Sequence, residues 1–200
     1  MKRHAWLFLV ALVIVMRSVV ASAETSPAQP DQQAMMEAMK KNGAPGEHHQ
    51  ALAPLAGTWV STASWWKSPD APPEVSQGTS TMEWVLDGRF LKQSFTGTAM
   101  GQPFTGMGFI GYDNVRGEYT SIWMDSMMTG IMTAAGTYDA AAQTLQESGS
   151  FSCPMTGEKN MWFRTDWKIV DQDHNTYESY SKTSEGKEYK ALEIAYTRQS

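Results

Sequence analysis

The sequence predicts an all-β protein: an up-and-down antiparallel barrel of about ten strands behind a short N-terminal helix. Three observations predict it. From Gly57 onward apolar and polar residues alternate with period two, the period of a strand with two unlike faces. Ten such runs follow one another, most separated by short segments rich in Gly, Asp, Asn and Ser. Short links between successive strands favour an up-and-down barrel, whereas the crossovers of a Greek-key sandwich need longer connections.

The chain starts differently. Lys2, Arg3 and His4 precede an apolar run from Ala5 to Met16, and Ala21-Ser22-Ala23 offers a small-x-small cleavage site. This is the pattern of an export signal over residues 1–23, with the mature chain beginning at Glu24. The run is shorter than the ~20 residues of a comfortable membrane span. Arg17, directly behind it, leaves an uncleaved anchor as the other reading. A periplasmic or secreted location is the expectation, with no stable membrane insertion once the signal is removed. Residues 24–47 read as a flexible linker and a short helix. Asp31 caps the helix, which runs through Lys41 and stops at Gly43. Met35, Met36 and Met39 share one face and are expected to dock on the barrel. Gly43 to Gly46 is a hinge, and His48 to Leu55 a helical turn entering the barrel domain of residues 48–200.

The predicted strands are Gly57–Trp66, Gly78–Leu86, Arg89–Thr98, Phe104–Tyr112, Glu118–Asp125, Ile131–Tyr138, Thr144–Phe151, Lys159–Val170, Thr176–Lys182 and Glu188–Arg198. Asp87-Gly88 is a strong hairpin signal, and Asp113 to Gly117 forms another turn, with Asp113 capping it. The only long connection, Lys67 to Ser76, is rich in Pro and can lie over a barrel mouth. In the strand after Gly117, Tyr119, Ser121, Trp123 and Asp125 fall on one face; Thr120, Ile122 and Met124 fall on the other. Gly106, Gly108 and Gly111 spell a dinucleotide fingerprint but lead into a turn and a second strand. That fingerprint needs a helix there, so the glycines are read as a device for curving the sheet.

Without Lys2, Arg3 and Arg17, thirteen basic residues face twenty-one acidic ones, a net charge of about −8 with His neutral. This argues against nucleic acid and anionic membrane surfaces as partners. The single cysteine, Cys153, excludes an intrachain disulfide. Oligomeric state is not legible.

Gly57-Thr58-Trp59 resembles the G-x-W opening of calycin barrels, the lipocalins and their relatives. Together with Gly88-Arg89-Phe90-Leu91, Gly106-x-Gly108-x-x-Gly111-Tyr112-Asp113-Asn114 and Trp123-x-Asp125-Ser126-Met127, it resembles the bacterial domain-of-unknown-function 1579 family from His48 to Arg198. The resemblance implies a calycin-like barrel in which an arginine from the last strand covers the tryptophan of the first. Here that pair is Trp59 and Arg198, closing the barrel. It transfers no catalytic or binding residue. The export signal departs from many members, so cytoplasmic roles do not transfer.

The aromatic load carries the functional reading. Trp59, Trp65, Trp84, Trp123, Trp162 and Trp167 are spread over most strands, and a barrel of this size can enclose a cavity. Aromatic walls with a few polar groups make a chamber for a small apolar or amphipathic ligand. The candidate contacts are Arg89, Gln93, Tyr112, Ser121, Trp123 and Asp125, with Asp125 at the rim orienting a polar ligand group or pairing with Arg89. No cofactor and no metal are expected: adjacent His48 and His49 converge poorly on one ion, and Met124, Met127, Met128 and Met132 read as a soft barrel entrance. His174 falls in a polar turn. Two alternatives remain open. One is a hydrolase or isomerase using Asp125 with Arg89 or Tyr112 at the mouth; the other is an interaction module without a ligand.

Overall fold

The computed structural model describes residues 31–199; the segment predicted to be an export signal and the start of the predicted linker lie outside the described residues. Ten antiparallel strands form one closed sheet in which each pairs with its sequence neighbours and the first pairs with the last. They are β1 (Gly57–Trp65), β2 (Glu74–Val85), β3 (Phe90–Ala99), β4 (Gln102–Asp113), β5 (Glu118–Asp125), β6 (Met132–Asp139), β7 (Thr144–Phe151), β8 (Met161–Ile169), β9 (His174–Lys182) and β10 (Glu188–Arg198). The predicted boundaries hold to within a few residues. The larger differences are at β2, which starts four residues early and shortens the Pro-rich connection, and at His174, which opens β9 instead of lying in the turn.

Closure leaves every strand paired on both edges, which removes the exposed edge that an open sheet must protect. The seam runs from Trp59 opposite Arg198 to Trp65 opposite Leu192. A bulge between Lys190 and Leu192 turns Lys190 outward, where it pairs with Glu178 and Glu193. Alternation is clear on β8: Phe163, Thr165, Trp167 and Ile169 are buried, while Lys168 between them is exposed.

The N-terminal segment closes one end. Helix α2 (Glu47–Gln50) and a 3-10 turn (Ala53–Leu55) lead directly into β1. Leu52 and Leu55 from this plug are fully buried against Trp59, Met82, Leu91, Ile110, Tyr119, Leu145, Trp167, Ile169 and Tyr196. Trp59 donates its indole N–H to the Leu55 carbonyl at 2.9 Å. The Arg198 guanidinium lies over the indole, 4.1 Å from the ring centroid, and donates to the carbonyls of Ala56, Pro54 and Gln172 at 2.7–2.8 Å. Gly57 adopts φ +136°, and a Cβ there would collide with that guanidinium. Glycine at this position therefore makes room for the arginine.

The preceding helix α1 (Gln32–Asn42) has the expected caps: Asp31 accepts from the Gln33 amide at 3.2 Å, and the Gly43 amide donates to the Met39 carbonyl at 2.8 Å. Its docking face is a correction. Met35, Met36 and Met39 are all exposed, and the helix buries nothing. Among the described residues only its C-terminal end is tied down, by Asn114 donating to the carbonyls of Asn42 and Ala44 and by Arg89 donating to that of Gly43. The tether holds the backbone after the helix, so the methionine face has no wall to meet.

Candidate functional site

The two halves of the barrel interior differ. At the plugged end the inward side chains are large, apolar and buried. At mid-height the inward positions become polar or small: Ser61, Ser80, Gln93, Ser121, Ala134, Gly136, Glu147, Thr165 and Ser181. Towards the far end they are apolar again, with Trp65, Phe104, Trp123, Met132, Phe151 and Leu192. Ser121, Trp123, Ala134, Tyr177 and Leu192 point inward by register yet keep part of their surface accessible. A filled barrel would bury them as fully as Leu52 and Leu55. The half away from the plug is therefore filled less completely than the plugged end.

Glu147 is the buried acid of this interior. It is 6% exposed, on the inward face of β7 between Leu145 and Gly149. Its register partner on β6 is Gly136, where a Cβ would run into the β7 backbone. With no side chain on that intervening strand, the Glu147 carboxylate reaches over β6 to β5. There the Ser121 hydroxyl donates to Oε2 at 3.0 Å. Oε1 is buried and has no hydrogen-bond partner among the described residues. Removal from water pushes the Glu147 pKa up to about 7, and the Ser121 hydrogen bond offsets only part of that. The facing Tyr177 hydroxyl, on β9, is driven up by burial and by the Glu147 charge, and stays neutral. The inward Ser61 and Ser181 hydroxyls are likewise buried without a partner. Buried polar groups are nearly always paired, and with Asn175 Nδ2 nearer the plug the inward face carries four such unpartnered groups among the described residues.

Gln93 lies just below, donating to the Ser80 hydroxyl at 3.0 Å and to the Tyr196 hydroxyl at 3.3 Å. Trp123 lies above, its indole flat against β4, where Cβ atoms at Gly106 and Gly108 would overlap the ring. Its N–H donates to Asp125 Oδ2 at 3.0 Å, while Asp125 Oδ1 accepts from the Met127 amide at 2.8 Å.

The family described as "Protein of unknown function (DUF1579)" matches residues 44–198. The chain belongs to the DUF1579 family. The crystal structure of Rv2717c from M. tuberculosis is similar at 18% identity with a TM-score of 0.59, over 78% of this chain and 100% of that one, a likeness that shows the fold alone. Two redesigned β-barrels bound to DFHBI align less well. mFAP1 has 21% identity and a TM-score of 0.40 over 76% of this chain and 100% of its own. mFAP0 has 20% identity and a TM-score of 0.39 over 72% and 99%. No curated protein matches the chain.

The residues through which the sequence resembles the DUF1579 family have structural work. Gly57, Trp59 and Arg198 form the clasp at the plugged end. Gly106 and Gly108 cradle Trp123, which is a more specific role than curving the sheet. Asp113 accepts from the amides of Val115 and Arg116, which hold its carboxyl below the usual range, and Asn114 ties down the N-terminal segment.

Of the six candidate contacts, Gln93, Ser121 and Trp123 meet on the inward face, and Asp125 stands at the rim above them. The other two are corrections. Arg89 sits in the β2–β3 turn at the plugged end, donating to the Gly43 and Leu86 carbonyls. Tyr112 is at that end too, stacked on His48 at 4.1 Å and edge-on to Tyr119 at 4.9 Å. β4 runs towards the plug and β5 away from it, so Arg89 and Tyr112 lie a barrel length from Asp125. The Asp125–Arg89 pair and the mouth site built on Asp125 with Arg89 or Tyr112 are not assembled. Trp162 also faces outward, beneath the Lys182 ammonium at 4.0 Å.

Proposed function

We propose that this protein is an exported binding protein that carries a small amphipathic molecule in the half of its barrel away from the plug. The supporting observation is Glu147, a buried carboxyl with one orphan oxygen; the chamber of this reading is the half of the barrel around and above it, whose upper wall is apolar. Folding one ionisable side chain into that interior costs several kcal/mol unless a partner compensates it. A ligand that fills the chamber and meets the carboxyl supplies the compensation. The apolar upper wall then contributes roughly 25 cal/mol for each Å2 of apolar ligand surface it removes from water. Export belongs to the same reading and rests on residues 1–23. Intact-mass analysis of the envelope fraction should find a chain starting at Glu24, and a full-length membrane-embedded chain would refute it.

Native mass spectrometry of protein purified from its own host tests binding. The expected result is a non-covalent adduct that disappears on denaturation. An adduct-free protein whose tryptophan emission also fails to respond to any small amphiphile would overturn the proposal.

A further inference from the structure

The inward positions around the chamber carry three carboxyl groups, Glu147 at mid-height and Asp125 and Glu74 at the rim, and no lysine, arginine or histidine among the described residues. The one cation at an inward position, Arg198, lies beyond Trp59 at the plugged end, with its donors spent on three backbone carbonyls. A bound carboxylate or phosphate would find no positive partner in the chamber and would face three groups of its own sign.

We infer that the ligand is an amphipathic amine: a cationic N–H-bearing head at Glu147 and an apolar body directed towards the mouth. The inference rests on the chamber reading above and adds the chemical class. The orphan Oε1 is an acceptor, so the head must bring a donor. An ammonium supplies the donor together with the opposite charge, and a charge-assisted hydrogen bond is about twice as strong as a neutral one. Tyr177 and Trp123 place aromatic surface around the same space, the surroundings a desolvated cation favours. From Glu147 to Phe151 the strand provides about 13 Å of wall for the apolar body, at roughly 3.3 Å per residue.

The electrostatics around Glu147 make the inference directional in pH. From β5 it is faced by Ser121 and Tyr119, from β6 by Gly136 and Tyr138, from β8 by Thr165, and from β9 by Tyr177. The tyrosines are all shifted upward by burial and stay neutral near pH 7. The Glu147 carboxyl is therefore the group that changes charge there, and its ionised form is the one an ammonium prefers.

The test compares decylamine, decanol and decanoate by tryptophan fluorescence and calorimetry on the folded chain. At pH 8 decylamine should bind at least tenfold tighter than either of the others. Its affinity should fall about tenfold between pH 8 and pH 6, because the amine stays charged while Glu147 protonates. Glu147→Gln should abolish both the preference and the pH dependence and leave decanol unchanged. If that variant fails to fold, the pH series on the unmodified protein decides alone. Decanoate binding as tightly as decylamine, or an amine affinity flat across pH 6–8, overturns the amine assignment while leaving the chamber in place. Saturable binding by none of the three overturns the chamber and this inference with it.

Discussion

At pH 8 the Glu147 carboxylate holds its charge against its surroundings, with one hydrogen bond and no counter-ion. Its pKa of about 7 lies above the value of 4.5 expected in the unfolded chain. The folded state therefore binds the proton more tightly. Stability contributed by the protonated form is full below about pH 4.5 and is lost as pH rises through 7. The size is on the order of 3 kcal/mol, about 1.4 kcal/mol for each pH unit between the two values. His49 acts in the opposite sense: burial, then the nearby His48 and Arg89 charges, lower its pKa, so its share is lost as pH falls below 6.5. Asp113, Asp171 and Glu178 are lowered as well and act only in the acid range. Comparison with Glu147→Gln isolates the carboxyl. The variant should be the more stable protein at pH 8, and its melting temperature should fall less between pH 5 and 8. Equal slopes in the two proteins would place the titration elsewhere. Asp125 makes the second prediction at this scale. Asp125→Ala should cost about 1–3 kcal/mol, since it strips acceptors from the Trp123 indole and the Met127 amide. It should also shift tryptophan emission as Trp123 loosens. An unchanged spectrum would mean that the Gly106–Gly108 cradle alone holds the ring.

At the scale of elements, the strands were legible because period two and turn chemistry act locally. Asp87-Gly88 and Asp113 to Gly117 turn the chain where they stand, whatever the rest of the molecule does. The inward parity of Tyr119, Ser121 and Trp123 followed from the same period. Glu147 was readable in principle: in Thr144–Phe151 it shares the parity of Leu145 and Phe151, an acid on the apolar side of a strand. What hid it is that only the strand pairing shows Gly136 opposite the acid and Ser121 beyond it. Arg89 was misplaced for a different reason. Its partners are backbone carbonyls of residues far away in the chain, and sequence carries no sign of where those carbonyls stand. The methionine face of α1 failed in the same way, because the tether after the helix decides where it points. That gives a prediction. A chain starting at Ala44 should lose less than about 1 kcal/mol of stability, since α1 buries no side chain and exposed groups contribute little. A loss above 3 kcal/mol by denaturant titration would mean that α1 packs against the barrel. The opposite is expected of the plug. Truncation at Leu55 would strip the lower core of Leu52 and remove the whole of α2.

At the scale of the whole molecule, closure is the one connection that is not local. Nine of the ten pairings join strands adjacent in sequence, while β1–β10 joins residues 59–65 to residues 192–198. Loop-closure entropy makes that pairing the slowest to repay its cost, so the seam should form after the hairpins. Two substitutions distinguish this order from early closure. Ile110→Val trims a buried side chain in the β4–β5 hairpin and should cost about 0.5–1.5 kcal/mol. Arg198→Ala removes the cation over Trp59 and three hydrogen bonds at the seam, and should cost about 1.5–3 kcal/mol. Arg198→Lys should restore only part of that loss, because one ammonium cannot reach three carbonyls and cover the ring together. In stopped-flow folding followed by tryptophan emission, Ile110→Val should slow folding, and Arg198→Ala should mainly speed unfolding, with a φ-value near zero. A φ-value near one for Arg198→Ala would reverse the order. Closure of the clasp would then nucleate the barrel, and the hairpins between β1 and β10 would form within a ring already closed.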